Sequence, residues 1–293
     1  MFARWFYSNH LERLHPFIDN KNYSLSELTT FRAQVENELG IETALLNERV
    51  LLGRKLHYYE RFNTFTNTNR PVRTIFTFNE KREIHTFSVQ ALPQEAATRY
   101  TNYVTKTELR LPFEGEWYVA AGGKTINLNQ HAVAKDQRFA YDFIILNGRY
   151  SHSGDGSTNR DYYCYTKRIL SPGKGRIIDM VSHMHENVPK QMGKTPGNYV
   201  IIDHGNGEYS FLAHLKKGSI IVQVGERVES GQFLGLCGNS GHSSEPHLHY
   251  HLQNTPIWYK GEGLPVQFME YRSDNKIIVR GEPVLDDFVE HRK

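Results

Sequence analysis

Near the C-terminus, the run His247-Leu248-His249-Tyr250-His251 places a histidine at every second position. In a β-strand, residues i, i+2 and i+4 share one face, so all three imidazoles would point the same way. Three such rings are costly in a core unless they bind something. The preceding GNSGHSSEPHLH is a glycine- and serine-rich turn that delivers this strand. His214 closes another strand pattern, SFLAHL, after the turn HGNGEY. His131 lies in a polar loop, NLNQHAVAKDQ, just before AYDFIIL, which contains Asp142. Eleven of the fifteen histidines fall at or after position 131, which directs attention to the second half of the chain.

Zinc suits these residue types. It takes nitrogen and oxygen ligands tetrahedrally, and a catalytic site uses three protein ligands while leaving a position for water. Two histidines and one carboxylate would make such a trio. A neighbouring uncoordinated histidine can then act as general base on the metal-bound water. No HExxH occurs, so the glutamate-base design of helical metalloproteases is absent.

The elements that must position these residues follow from periodicity. Residues 24–57 read as helical, with Ser24 or Ser26 as cap, Glu27 in the first turn and Gly40 as a stop. The run Glu42 to Leu52, carrying Leu45, Leu46 and Leu52, is predicted as a second helix. From Lys55 the period changes to two through KLHYYERFNTF, RTIFTFN and EIHTFSVQAL, three strand candidates. Helices followed by a meander predict a small α+β accessory domain over 1–98, in an order resembling the nuclear-transport-factor-like cone. Past a linker near Leu92–Arg99 come short strands punctuated by glycine: GEWYVAAGG, AYDFIIL, GRIIDMV, GNYVIIDHG, GEYSFLAHL, SIIVQVG, QFLGLCG and HLHYHLQ. These predict a mainly β second domain over 99–293, an antiparallel sandwich or barrel.

Two segments, GNYVIIDHGNGEYSFLAHL and VGERVESGQFLGLCGNSGHSSEPHLHYHL, carry a family resemblance. They look like the strand-turn-strand with a catalytic histidine, and the glycine-rich loop ahead of an HxH motif, of the lysostaphin-type (LytM-like) zinc metallopeptidases. Members of that family cleave peptide bonds in bacterial peptidoglycan. The resemblance runs from about Leu111 to Val289, and LPFEGEWYVAAGG and GLPVQF also look like segments of secreted members. It implies one zinc per chain. His249, the second histidine of HxH, would bind the metal. His247, the first, and His214, from AHL, would be uncoordinated catalytic histidines. The family's other ligands come from an HxxxD motif, and here the sequence departs: four residues after His131 stands Lys135. Asp136 and Asp142 are the candidates. The family's aspartate leads directly into an apolar strand, as Asp142-Phe143-Ile144 does, so Asp142 completes the set with His131 and His249. The extra loop between them should form part of the rim of a cleft. His204 reads as a structural turn residue, His183 and His185 as a surface loop, and His251 as the reserve ligand.

The implied activity is zinc-dependent endopeptidase action on peptidoglycan stem peptides or cross-bridges. The alternative is a catalytically degenerate relative that binds peptidoglycan or activates another hydrolase. A carrier-module reading of VQVGERVESGQFLGLCG fails, because the hairpin tip offers no lysine and the histidines would go unexplained. A net charge of +3 is too small to imply a nucleic-acid partner, and no run of 18 apolar residues would span a membrane. MFARWFYSNH has too short an apolar stretch for a secretory signal. The substrate therefore carries the expected location, the cell envelope or outside, with the leader absent from this chain. Cys164 and Cys237 form no CxxC and could either pair or stay reduced.

Overall fold

The structure, a computed structural model, describes residues 1–19, 23–52 and 56–291. It divides into two compact units, Met1–Gln94 and Glu95–Lys293. In the first unit, α1 (Phe2–Tyr7), α2 (Leu11–Leu14) and α3 (Leu25–Leu39) precede a four-stranded meander. Its strands are β1 (Glu42–Leu52), β2 (His57–Phe65), β3 (Thr68–Phe78) and β4 (Ile84–Ala91). Ser24 caps α3 reciprocally: its Oγ accepts from the Glu27 N–H at 3.2 Å, and the Glu27 carboxylate accepts from the Ser24 N–H at 2.7 Å. Leu28 and Val35 bury against Phe6, Leu14 and Phe76.

The run Glu42–Leu52 is a strand, not the second helix that its leucine spacing predicts. It pairs with β2 along its length, and the register sets Glu48 opposite Arg61 and Arg49 opposite Glu60. Arg49 Nε donates to Glu60 at 2.7 Å and Arg61 Nη1 to Glu48 at 3.1 Å. These cross-strand pairs outweigh a helical pattern whose Leu45 and Leu46 never enter a core. Lys55, where the next strand is predicted to begin, lies outside the described residues.

The second unit is mainly β, as predicted, with antiparallel pairing in its ladders. Its strands are β5 (Glu116–Ala121), β6 (Tyr141–Ile144), β7 (Arg168–Leu170), β8 (Gly175–Val181), β9 (Asn198–Asp203), β10 (Tyr209–Leu215) and β11 (Arg227–Val228). Then follow β12 (Phe233–Leu236), β13 (Leu248–Gln253), β14 (Gly263–Leu264), β15 (Tyr271–Ser273), β16 (Lys276–Ile278) and β17 (Phe288–His291). One large sheet runs β11-β8-β9-β10-β13-β6-β5-β17-β15-β16, with β14 added to β13; β12 and β7 form a separate ladder. The predicted strand SIIVQVG is irregular chain instead. Val222 reaches the core and the Ile221 N–H finds the Leu234 carbonyl, while Ile221 and Val224 stay exposed.

Alternation along three adjacent strands separates core from chemistry. Leu248, Tyr250 and Leu252 of β13, Tyr141 and Phe143 of β6, and Leu212 of β10 join a core with Phe113, Trp117 and Phe268. Phe113 stacks on Trp117 at 4.7 Å between ring centroids and meets Phe143 edge-on at 5.0 Å. The opposite face collects His249, His251 and Asp142. Ala213, His249 and Asp142 are direct cross-strand partners across β10, β13 and β6.

The glycine-rich loop before β13 is pinned by the segment 187–197. Asn187 Nδ2 donates to the carbonyls of Gly241 and Ser243 at 2.7 and 2.8 Å, and the Gly193 N–H donates to Gly241 at 2.9 Å. Gly241 adopts φ +77°, and a Cβ there would lie 2.3 Å from Gly197 N and 2.4 Å from Thr195 O. Both obstacles are backbone. Gly241→Ala should therefore cost about 2 kcal/mol or more, the left-handed conformation alone costing about 1–2. Denaturant unfolding checks this; a midpoint equal to wild type would contradict the packing described.

Candidate metal centre

His131, Asp142 and His249 converge. One ligand atom from each lies within 4.8 Å of the other two. His131 sits on a short 3-10 turn, Gln130–Val133, whose cap is Asn129: its Oδ1 accepts from the His131 N–H at 3.0 Å. Asn129 is itself buried, and its Nδ2 donates to the carbonyls of Gly123 and Ala140, each at 3.0 Å. His131 Nε2 then lies 2.9 Å from Asp142 Oδ2, and His249 Nδ1 lies 3.0 Å from Asp142 Oδ1. Gln130 Nε2 also donates to Oδ2, at 3.2 Å.

His214 and His247 flank this cluster. Their rings are 4.7 Å apart, and His214 lies 5.6 Å from the ring of His249. Strict alternation would send His214 toward the core beside Leu212. Instead a bulge between Ala213 and Leu215 breaks the register with β9, and His214 takes φ +64°. A non-glycine residue in that region is uncommon and strained, and such strain gathers at functional sites. The bulge turns the imidazole to the face that carries His249.

Hydrogen bonds fix the protons on both rings. His214 Nδ1 lies 2.8 Å from the Ser240 carbonyl, and His247 Nδ1 lies 2.9 Å from the Glu245 carbonyl. A carbonyl oxygen only accepts, so each Nδ1 carries hydrogen and each neutral ring keeps a lone pair at Nε2. Burial, reinforced by His247 and His249, holds His214 well below the usual imidazole range. Burial lowers His249 as well, and lowers His251 further, with His249 adding to it. Burial would raise Asp142, but the charges of His131 and His247 and the hydrogen bond from His131 hold it well below the carboxylate range. His131 goes the other way: burial pulls it down, and the Asp142 charge carries it above its ordinary value. Burial raises the Glu245 carboxyl beside His247.

The five residues border an open cleft of about 750 Å³. Val133, Ala134 and Gln137, from the loop between His131 and Asp142, form part of its rim, with Trp258 and Tyr259. Asp136 stands apart from the cluster, its Oδ2 accepting from the Tyr259 N–H at 3.1 Å, and Lys135 pairs with Glu262 at 3.3 Å. His183 and His185 lie on an exposed loop, and His204 bonds the Lys174 carbonyl and Ser210. His251 is buried behind His249 and faces away from the carboxylate. Asn129, Gln130, Ser240 and Glu245 carry no signal that would single them out in the sequence: two of them act through backbone carbonyls.

Residues 161–263 match the model of Peptidase family M23. The match includes His214, His247 and His249 but not His131 or Asp142, whose place beside them rests on geometry. Peptidoglycan DD-endopeptidase ShyA of Vibrio cholerae serotype O1 is 50% identical over 217 residues, 71% of this chain and 43% of that protein. An uncharacterized metalloprotease of Buchnera aphidicola subsp. Baizongia pistaciae is 43% identical over 82 residues, 28% of this chain and 19% of that protein. The chain thus spans less than half the length of these curated relatives. Among solved structures, the catalytic domain of the antimicrobial peptidase lysostaphin from Staphylococcus simulans is similar, with a TM-score of 0.31 and 18% identity. That similarity covers 52% of this chain and 89% of the solved one.

The depressed histidines make a statement about stability. Below about pH 6.5 the unfolded chain takes up protons that His214, His249 and His251 refuse while folded, with His131 acting in the opposite sense. The metal-free protein should therefore lose stability as pH falls. Denaturant unfolding of chelator-treated protein at about pH 7.5 and about pH 5.5 measures the loss. His214→Asn, a residue that tolerates positive φ, should shrink the difference. An unchanged difference would show that His214 is not held neutral.

Proposed function

We propose, from the premise that residues 161–263 form a peptidase family M23 domain, that this chain is a zinc-dependent endopeptidase hydrolysing peptide bonds in bacterial peptidoglycan. Residues 99–293 would form the peptidase domain and 1–98 an accessory domain. The observation that carries the reading is the His131–Asp142–His249 cluster at the cleft, with two further histidines beside it. Two imidazole nitrogens and one carboxylate are the donor set of a catalytic zinc that keeps a position open. The residues present fit the metal: His131 would hold it through Nε2, His249 through Nδ1 and Asp142 through its carboxylate.

When bound, zinc supplies Lewis acidity, polarising a carbonyl and lowering the pKa of water from about 15.7 to about 7. The chain's own residues do the rest. His214, kept neutral by burial, offers the Nε2 lone pair that accepts a proton from the attacking water and returns it to the leaving amine. His247, with Nδ1 anchored on the Glu245 carbonyl, can donate from Nε2 to the carbonyl oxygen when it carries its second proton. One such donor contributes about 3 kcal/mol to lowering a barrier. Ser240 and Glu245 hold the two rings in place through their carbonyls. A peptidoglycan substrate implies the cell envelope or the outside as the place of action. No helix of the described residues is long and apolar enough to cross a membrane.

Elemental analysis with peptidoglycan digestion on the same samples tests this. Wild type should hold about one zinc per chain, and Asp142→Ala and His249→Ala should lose both metal and activity. His247→Ala should keep the zinc and lose activity. Zinc-free, inactive wild type that still binds peptidoglycan would replace the enzyme reading with that of a degenerate binding protein.

A further inference from the structure

We propose that His251 and Gln253 are positioning residues that set the tautomer of His249, leaving its Nδ1 unprotonated and aimed into the cluster with Asp142 and His131. The inference rests on the zinc reading for its purpose, though not for its geometry. His249, His251 and Gln253 occupy every second position of β13, so their side chains line up on one face. All three are buried.

The direction of each hydrogen bond follows from the far end. Gln253 Nε2 lies 2.6 Å from the Thr255 carbonyl oxygen and 2.9 Å from that of Ile257. Both only accept, so the amide nitrogen must face them and Oε1 must face His251. His251 Nε2 lies 3.3 Å from Oε1, so it carries the hydrogen and donates. The opposite nitrogen of the neutral ring, Nδ1, is then an acceptor. It lies 3.0 Å from His249 Nε2, which must donate. His249 is left with its lone pair on Nδ1, 3.0 Å from Asp142 Oδ1. Two acceptors face each other there, an arrangement that a cation satisfies. Reversing the chain would set Gln253 Oε1 against two carbonyl oxygens, which is repulsive.

The ring of His251 cannot swing away. It stacks on Phe211 with centroids 4.5 Å apart and planes 12° from parallel, and the edge of Trp258 closes the other approach at 5.5 Å. These rings hold His251 against its two polar neighbours, His249 and Gln253. Such a chain of bonds orients a metal-binding histidine by engaging its other nitrogen.

The test has two readouts. Long-range ¹H–¹⁵N correlation on chelator-treated wild type reports the tautomer of His249 without metal, and should find hydrogen on Nε2 and a bare Nδ1. Chelator competition then gives zinc affinity. His251→Phe should weaken it about 10–100-fold, the usual cost of removing the hydrogen-bond partner behind a metal-binding histidine. His251→Gln, whose amide oxygen can accept from His249 Nε2, should recover most of that loss, which mere space-filling would not. Gln253→Met, which tests the chain from its far end if His251→Phe does not fold, should weaken zinc binding in the same direction. Hydrogen on Nδ1 of His249 in the wild type, or variants binding zinc within about twofold of wild type, would overturn the proposal. Wild type that binds no zinc yet shows the stated tautomer would overturn the enzyme reading instead and leave the relay standing.

Discussion

The carboxylate of Asp142, held between His131 and His249 inside a sheet, is the contact on which the second unit is organised. A buried carboxylate without partners is severely penalised, so its place is tenable only where hydrogen donors such as His131 and Gln130, or a cation shared with His249, meet it. That requires β6 and β13 to be neighbours in one register, with His249 opposite Asp142. A slip of one residue would turn Tyr141 or Phe143 toward the imidazoles and send Asp142 into the aromatic core. The stacked rings of Phe113, Trp117, Tyr141 and Phe143 on the reverse face therefore do more than fill volume. They make every other register costly.

Around that row, backbone groups set the protons. His214 and His247 are each anchored by a carbonyl, and those carbonyls belong to the glycine-rich loop, at Ser240 and Glu245. The loop holds its shape because Gly241 packs against the backbone of Gly197 and Thr195, where no side chain fits. Chemistry and loop packing are thus one problem. A displacement of the loop would shift both rings at once.

Much of this was legible in the sequence, and for a physical reason. The two-residue period of a strand is strict, so HLHYH announces three rings on one face wherever the strand lies. The capping box of α3 is equally local and equally readable. Where the reading failed, the deciding partner was remote. Glu42–Leu52 has a helical scatter of leucines, yet its glutamates and arginines pair across to β2. The run 219–225 alternates like a strand but finds too little ladder to form one.

The sequence by itself determined which residue types were available and which of them share a strand face, because both depend only on neighbours along the chain. Tertiary structure decided what could not be local. The bulge that turns His214 out of the core is a mismatch between β10 and β9, and neither strand contains it alone. His131 meets Asp142 only because Asn129 bonds the carbonyls of Gly123 and Ala140 and holds the intervening loop in place. Asp136 and Asp142 are both acidic, both near His131 and both buried. Only the pairing of β6 with β13 brings one of them to His249, since a side chain's neighbours across a sheet are set by register rather than by distance along the chain.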